Sequence, residues 1–282
     1  MATVTAKGAV ASIKNTAIYL MMFAGAVFVM FPFFWMIIVA LKPDGQAFKL
    51  NLIFQNPFWK NFADVLKNES YPFWMFFLNS VIVSTCGAAL TTLICALAGY
   101  AFAKKNFILK ETIFWALLAT MMIPGMMYLV PQFALVTEFK WINTYQGMIV
   151  PHLANVFGVF LMRQYMETIP SSLLESARID GASEIKIFTR IVLPLSVTIV
   201  TMLFLLSFLF HWSNFLWHLV VNTPESNKLT LPVGLALYKG QYEVFWSKLM
   251  AASCFSIVPI AILFTLAQRF FIEGLTAGAV KE

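Results

Sequence analysis

Charged side chains are scarce in this 282-residue sequence and are missing altogether from six long stretches of it. Only 11% of the residues are charged, 60% are apolar, and the mean hydropathy is +0.80. A soluble domain is nearer about one quarter charged and about half apolar. No Asp, Glu, Lys or Arg occurs in stretches 17–41, 76–103, 112–137, 143–162, 195–222 and 251–268. This composition excludes an ordinary soluble domain and indicates a protein built for lipid.

Motifs for nucleotide, metal and acyl chemistry are also missing. No GxxxxGK[ST] loop occurs, so we expect no ATP hydrolysis by this chain itself. Neither an HExxH metal motif nor a GxSxG nucleophile elbow is present. The cysteines Cys86, Cys95 and Cys254 lie in apolar runs without metal-ligand or CxxC spacing, which is typical of small packing residues. We therefore expect neither enzyme activity nor a bound cofactor or metal, and the net charge of +6 does not suggest nucleic acid.

The apolar runs also lack the carboxylates on which ion-driven carriers depend. Such groups cost about 2.5–3.5 kcal/mol each to insert and usually mark proton or ion pathways. The absence argues against self-powered transport, and energy is expected to enter from another polypeptide. Sodium sites built from backbone and hydroxyl oxygens leave an ion-coupled secondary transporter as an alternative. A membrane-embedded enzyme is a third hypothesis, but it needs catalytic groups clustered at one depth, and none are seen.

Six apolar runs are long enough to cross a bilayer, which takes about 20 residues. They cover residues 17–41, 76–103, 112–137, 143–162, 195–222 and 249–272. The first is too long for a signal-peptide core. Because lipid cannot satisfy bare backbone groups, each run should be helical. The sequence therefore predicts an all-α membrane protein with six transmembrane helices.

Charge asymmetry orients these helices. If the N-terminus is cytoplasmic, 11 of the 19 Lys and Arg face the cytoplasm, as the positive-inside rule requires. The predicted organisation is a cytoplasmic tail 1–16, a first transmembrane helix 17–41, an extracytoplasmic loop 42–75, a core 76–272 and a cytoplasmic tail 273–282. Residues 163–194 form a cytoplasmic loop in that core. The protein is then a multi-pass membrane protein with both termini in the cytoplasm.

The loop at 163–194 concentrates charge, since eight of the 32 charged side chains lie between residues 163 and 190. Ser172 followed by Glu175 has the S-x-x-E spacing of a capping box, which predicts a helix start. Gly181 is suited to positive φ and ends that helix, and Ser183 is placed to cap a second one. Leu174 and Ala177 share one face of the first helix.

The second helix of the loop is predicted from three apolar residues. Ile185, Phe188 and Val192 have the i, i+3, i+7 spacing of one helical face. Periodicity alone leaves two interpretations open for the helix pair. It is either an amphipathic elbow on the protein surface or a docking site for a partner.

This loop resembles the signature of binding-protein-dependent ABC importer permeases. Glu175-Ser176-Ala177, Gly181 and Ile191-Val192-Leu193-Pro194 match the pattern EAA---G---------I-LP in residue type and spacing, with Ser176 in place of the usual second alanine. Asp180-Gly181-Ala182 fits the form common in the carbohydrate-uptake branch. The C-terminal stretch 274–281, GLTAGAVK, is similar to the ending of the maltose-type second permease subunit.

The resemblance implies a type I ABC importer permease fold in which this loop is the coupling helix. Glu175 would pair with a basic group of a separate ATPase, and Ala177, Gly181 and Ala182 would permit close approach. The implied coupling residues are Glu175, Ser176, Ala177, Asp180, Gly181, Ala182, Ile191, Leu193 and Pro194. In the C-terminal tail, Gly278 and Lys281 are implied to enter the ATPase interface, the alternative being a frayed terminus.

The same resemblance implies a bacterial or archaeal cytoplasmic membrane as the location, and it implies the partners. They are a second permease subunit, two copies of a cytoplasmic ABC ATPase that hold ATP and Mg²⁺, an extracytoplasmic solute-binding protein, a sugar and membrane lipid. Met126, in a Pro-Gly-interrupted run, and Trp212, Asn214 and Phe215 are candidate substrate-pathway residues. Packing is the alternative for each of them. Glycerol phosphate or a polyol is the alternative substrate, but the six charge-free stretches hold no basic side chain to receive a phosphate.

Overall fold

The computed structural model describes residues 2–49, 57–69, 72–239 and 244–277, with side chains between residues 15 and 270. Its α-helices, in chain order, are α1 Ala2–Ala40, α2 Lys60–Lys67, α3 Phe73–Lys104, α4 Lys110–Thr120, α5 Leu129–Glu138, α6 Tyr145–Ile149, α7 Val156–Glu167, α8 Ser171–Ile179, α9 Glu184–Ile187, α10 Leu193–Leu195, α11 Val197–Ser213, α12 Phe215–Val221, α13 Leu231–Leu237 and α14 Trp246–Ala277. These described ranges hold no β-strand beyond one isolated bridge between Lys239 and Val244. The all-α prediction is confirmed.

The candidate membrane spans are of two kinds, straight and bent. Straight spans of 26, 32 and 25 residues run over Asn15–Ala40, Phe73–Lys104 and Trp246–Phe270. The bent spans are Lys110–Thr120 with Gly125–Glu138 at 91°, Tyr145–His152 with Val156–Glu167 at 51°, and Glu184–Leu195 with Val197–Ser213 at 82°. Counting each bent pair as one span gives six in the described chain, as the apolar runs predict.

Each bend has a local cause in the sequence. Pro124 is extended, at ψ 130°, and separates α4 from the 3-10 turn Gly125–Tyr128. Asn155 interrupts the next span, and its side-chain oxygen accepts a 2.8 Å hydrogen bond from the Gly158 amide, which caps α7. In the last bent span Pro194 lies in α10 just before the break at Ser196. A proline lacks the amide hydrogen that a continuous helix needs, so Pro124 and Pro194 interrupt the hydrogen-bond ladder of their spans.

By packing, the chain divides into two units. The first comprises Met1–Lys67 and Tyr238–Phe255, and the second comprises Asn68–Leu237 and Ser256–Glu282. In the first unit, the Asn61 side chain donates to the carbonyls of Ala40 and Lys42 at 2.8 and 2.7 Å. The Ser247 amide donates to the Asp44 carboxylate at 2.8 Å. The two Asn61 contacts satisfy carbonyls left open where α1 ends.

In the second unit α3 packs against α7 and α11 through a face of small residues. The buried members of that face are Ser84, Gly87, Ala88, Thr91, Thr92, Cys95, Ala96 and Gly99. A Cβ on Gly99 would lie 2.4 Å from the Met162 Cβ, and one on Gly87 would lie 2.5 Å from Nε2 of His211. Small side chains let helix backbones approach closely in a membrane, where lipid offers no hydrophobic force to join them.

Candidate coupling site

The helix α8 is amphipathic, with its apolar side turned to the core. Leu174 is only 1% exposed, and Ala177 packs on the same buried cluster as Met162 and Met166. Glu175 is exposed on the other side. The predicted orientation of Leu174 and Ala177 is confirmed.

A Schellman turn ends this helix at Gly181. Gly181 has φ +78°, in the left-handed region that favours glycine. The Ala182 amide donates to the Ala177 carbonyl at 2.9 Å, and the Gly181 amide donates to the Arg178 carbonyl at 3.0 Å. These are the two bonds of the Schellman motif, and they satisfy the last carbonyls of α8. The positive φ predicted for Gly181 is confirmed.

The capping box predicted at Ser172 is wrong. The helix begins one residue earlier, at Ser171, and its cap is Pro170 at φ −58° and ψ 128°, which makes no side-chain capping bond. Because the proline ring already fixes an extended entry into the helix, Ser172 falls inside the first turn. There its carbonyl accepts a hydrogen bond from the Ser176 hydroxyl, within the helix. The cap predicted at Ser183 is confirmed, since its hydroxyl accepts from the Lys186 amide at 3.4 Å.

The apolar face predicted after Ser183 needs one correction. Ile185 is 77% exposed, whereas Phe188 and Val192 are buried, and Ile187 takes the inward position. The backbone forms a π-helix over Phe188–Val192. A π-helix has i to i+5 hydrogen bonds and more residues per turn than an α-helix, so Val192 turns towards the buried side that Ile187 occupies, which an α-helical period does not predict.

The outward surface of α8 and α9 combines acidic and apolar side chains. Glu175 forms no hydrogen bond or ion pair with any residue in the described ranges. Beside it Ile179 is 86% exposed and Leu173 is 46% exposed. Sequence reasoning missed both apolar residues. The sequence signal that could have found them is their position in α8, because neither lies on the side that carries Leu174 and Ala177.

The remaining predicted coupling residues lie along the same segment. Ser176 and Asp180 are exposed, and Ala182 packs partly on the buried cluster. Beyond α9, the π-helix leads into α10, which places the last residues of the signature. Ile191 is partly buried there and Pro194 is exposed.

Leu193 lies between these two residues and has a different environment. It lines an apolar cavity of about 340 Å³ together with Ala96 and Val200. The structure thus brings the signature residues into one continuous segment from α8 to α10. Gly278 and Lys281 lie outside the described residues.

Glu184 is the most highly connected side chain of the loop, and sequence reasoning missed it. Its carboxylate accepts a 2.8 Å bond from the Tyr100 hydroxyl and a 3.0 Å bond from Nε of Arg178, and it pairs with Lys105. Tyr100 is 84 residues away in sequence, so no local pattern signals the contact.

The four candidate pathway residues do not form one cluster. Met126 is exposed in the turn between α4 and α5, and Phe215 is 40% exposed at the start of α12. Trp212 is buried and stacks on Phe208, with ring centroids 5.5 Å apart. Asn214 caps α12 by accepting from the Trp217 amide. A substrate role for these residues stays a prediction. Among the described residues, no group of three or more His, Cys, Asp or Glu is arranged for a metal ion.

The sequence of this chain is similar to those of known transport proteins. Residues 93–276 match the family of the binding-protein-dependent transport system inner membrane component. The arabinooligosaccharides transport system permease protein AraQ of Halalkalibacterium halodurans is 36% identical, over 89% of this chain and 91% of its own. The trehalose/maltose transport system permease protein MalG of Thermococcus litoralis is 33% identical, over 91% and 93%. The sn-glycerol-3-phosphate transport system permease protein UgpE of Yersinia pestis is 29% identical, over 91% and 94%.

A solved structure shares the fold. A chain from the crystal structure of a bacterial ABC transporter involved in the import of the acidic polysaccharide alginate superposes with a TM-score of 0.79. It is 18% identical, and the match covers 92% of this chain and 96% of that one. This chain belongs to the family of binding-protein-dependent transport system inner membrane components.

Proposed function

We propose that this chain is the transmembrane subunit of an ATP-driven carbohydrate importer and that α8 docks into a separate ATPase. The observation that carries the proposal is the outward surface of α8, where Glu175 is unpaired among the described residues beside exposed Ile179. Gly181 ends the helix without a side chain, so a partner surface is able to approach the turn closely. An acidic group with exposed apolar neighbours matches a cleft that is basic at one point and apolar around it.

In the proposed mechanism, motion of the ATPase changes which side of the membrane the transport pathway opens to. Two ATPase copies, which hold ATP and Mg²⁺, supply the free energy by closing on each other and moving the docked helix. The spans of this chain and of a second permease subunit then switch between two arrangements, driven by differential contacts in the two states. A solute-binding protein delivers the sugar at the outer surface, near 42–75 or 223–248. Both termini and 163–194 face the cytoplasm in this arrangement.

We propose a neutral carbohydrate as the substrate because the six stretches without Asp, Glu, Lys or Arg offer no cation to bind a phosphate. Arg163 lies within the bent span that ends at Glu167, beyond the limit of the apolar run at residue 162. Its guanidinium is engaged by Glu111 at 2.8 and 3.0 Å and by Glu167 at 2.8 Å, so its charge is balanced. Glycerol phosphate is the second candidate, since the glycerol-phosphate permease relative shares 29% identity with this chain.

Affinity purification of the tagged chain from its native membranes tests the docking proposal. The wild-type chain is expected to bring down an ATPase and a second permease. Gly181→Asp is expected to lose the ATPase, because it strains a φ of +78° and adds charge at the turn. Gly45→Asp is the matched control, since Gly45 is exposed, has open space around it and lies outside the loop. A wild-type chain that purifies alone and transports without ATP would contradict the proposal in favour of ion-coupled transport.

Uptake measurements separate the two substrate classes. Cells that carry the chain, and cells that lack it, are given radiolabelled arabinotriose, maltose, trehalose and glycerol 3-phosphate in turn. We expect uptake dependent on this chain for a neutral sugar and none for glycerol 3-phosphate. Chain-dependent uptake of the phosphate alone would favour the second candidate.

A further inference from the structure

Lys104, the last residue of α3, and Lys105, the residue after it, each contact the coupling loop at a different place. At the start of the loop, Nζ of Lys104 donates to the carbonyls of Ile169 and Glu167, the latter at 3.2 Å. Ile169 immediately precedes Pro170 and α8, and Glu167 is the last residue of α7. The α7–α8 connection is therefore tied to the end of α3 through backbone carbonyls.

Further along the loop, Glu184 also contacts the C-terminal end of α3. Its two carboxylate oxygens are shared among the Tyr100 hydroxyl, Nε of Arg178 and the Lys105 ammonium. The Tyr100 ring also packs on Phe188, with centroids 5.4 Å apart. Because Arg178 belongs to α8 and Glu184 to α9, one carboxylate joins both helices of the loop to α3.

We propose that Glu184 is a positioning residue that makes α8, α9 and α3 move as one body when the loop is displaced. The inference rests on the proposed function and adds the route by which displacement reaches the spans. The α3 helix is the element that packs on both α7 and α11 through small residues. Close-packed interfaces of this kind transmit a shift rather than absorb it. The loop contact to α3 thereby reaches both bent spans.

Glu184→Gln is the informative substitution because it changes charge and little else. The amide keeps an oxygen for the Tyr100 hydroxyl but loses the charge that holds Lys105 and Arg178. The outward residues of α8 are untouched, so ATPase binding is expected to persist. Glu138→Gln makes the same chemical change at an exposed carboxylate outside the loop and serves as the matched control.

Spin-label distances in the purified complex test the proposal without knowledge of the substrate. One label is placed at the exposed residue Lys186 and the other at the exposed residue Leu90, which lies about 20 Å along α3 from Lys104. Cys86, Cys95 and Cys254 are replaced by serine. Distances are recorded without nucleotide and after trapping with ATP, Mg²⁺ and vanadate.

The expected result is a distance that trapping leaves unchanged in the wild type and in Glu138→Gln. In Glu184→Gln the distance without nucleotide is expected to match the wild type and to shift by several ångströms on trapping, as the loop moves without α3. A merely structural role would alter the distance before nucleotide is added. Identical behaviour of Glu184→Gln and wild type, with ATPase bound to both, would overturn this inference alone. Absence of an ATPase from the wild-type complex would overturn the proposed function itself.

Discussion

A Cβ atom on Gly99 would lie 2.4 Å from the Cβ of Met162 and 3.0 Å from the Met162 carbonyl carbon and the Arg163 amide nitrogen. The backbones of α3 and α7 therefore meet at a point where no larger residue fits without movement of a helix. Two of these three atoms belong to the backbone of α7, which rotation of a side chain does not relieve. This contact joins α3 to α7, the helix that leads into the coupling loop.

Gly99→Ala is expected to lower stability by about 1–3 kcal/mol, the usual cost of overpacking a well-packed core. Gly25→Ala is the control, because nothing lies within 4 Å of a Cβ at that helical position. Thermal unfolding in detergent should show a lower midpoint for Gly99→Ala and an unchanged or slightly higher one for Gly25→Ala. Equal midpoints for both variants would mean that α3 and α7 are not in close contact.

Two neighbouring leucines in α8 should respond in opposite ways to truncation. Leu174 is buried at 1% exposure, and Leu174→Ala is expected to cost about 2–5 kcal/mol through lost burial and a residual cavity. Leu173 is 46% exposed, so Leu173→Ala should leave the unfolding midpoint near that of the wild type. Leu173→Ala is instead expected to weaken ATPase co-purification. A larger stability loss for Leu173→Ala than for Leu174→Ala would show that α8 presents a different face.

The spans were predictable from the sequence because lipid imposes a simple demand. A helix that crosses it must hide every backbone group within itself and present apolar side chains over about 20 residues. The interruption at Pro124 and the turn at Gly181 were also predictable from the sequence, because each depends on the backbone geometry of a single residue type. Local chemistry of this kind leaves a local pattern.

The features that sequence reasoning missed depend on contacts that leave no such pattern. The start of α8 at Ser171 is decided by the fixed dihedral angles of Pro170, which competes with the capping box. The exposure of Ile185 follows from a π-turn that appears only once Ile187 and Val192 pack on the core. Glu184 accepts a hydrogen bond from Tyr100, which is 84 residues away in the sequence, so this contact depends on the tertiary fold alone.

The ion pairs of Glu184 should make a salt-dependent contribution to stability. Its carboxylate pairs with Lys105 and with Arg178, and all three side chains are partly exposed. Because dissolved ions screen charges that are open to solvent, both pairs should weaken as the salt concentration rises.

Unfolding midpoints of wild type and Glu184→Gln, measured at low and at high salt, check that expectation. The difference between the two midpoints should be modest at low salt and should shrink at high salt. A difference that does not change with salt would exclude the ion pairs of Glu184 as its source.

Substitutions of Gly181 should separate the geometry of the turn from the space that a partner needs. The φ of +78° costs a residue with a Cβ about 1–2 kcal/mol, and asparagine tolerates this region better than alanine. No atom lies within 4 Å of an added Cβ, so the cost is conformational and not steric. Stability is therefore expected to fall in the order Gly181, Gly181→Asn, Gly181→Ala.

ATPase co-purification should follow a different order, because a docked surface is sensitive to side-chain size. Alanine adds one carbon at the turn and asparagine adds an amide, so retention should fall in the order Gly181, Gly181→Ala, Gly181→Asn. The two assays thus rank Gly181→Ala and Gly181→Asn oppositely if the turn lies at a close interface. If retention instead follows stability, Gly181 serves only to end α8, and the docked surface lies further along the helix, towards Glu175 and Ile179.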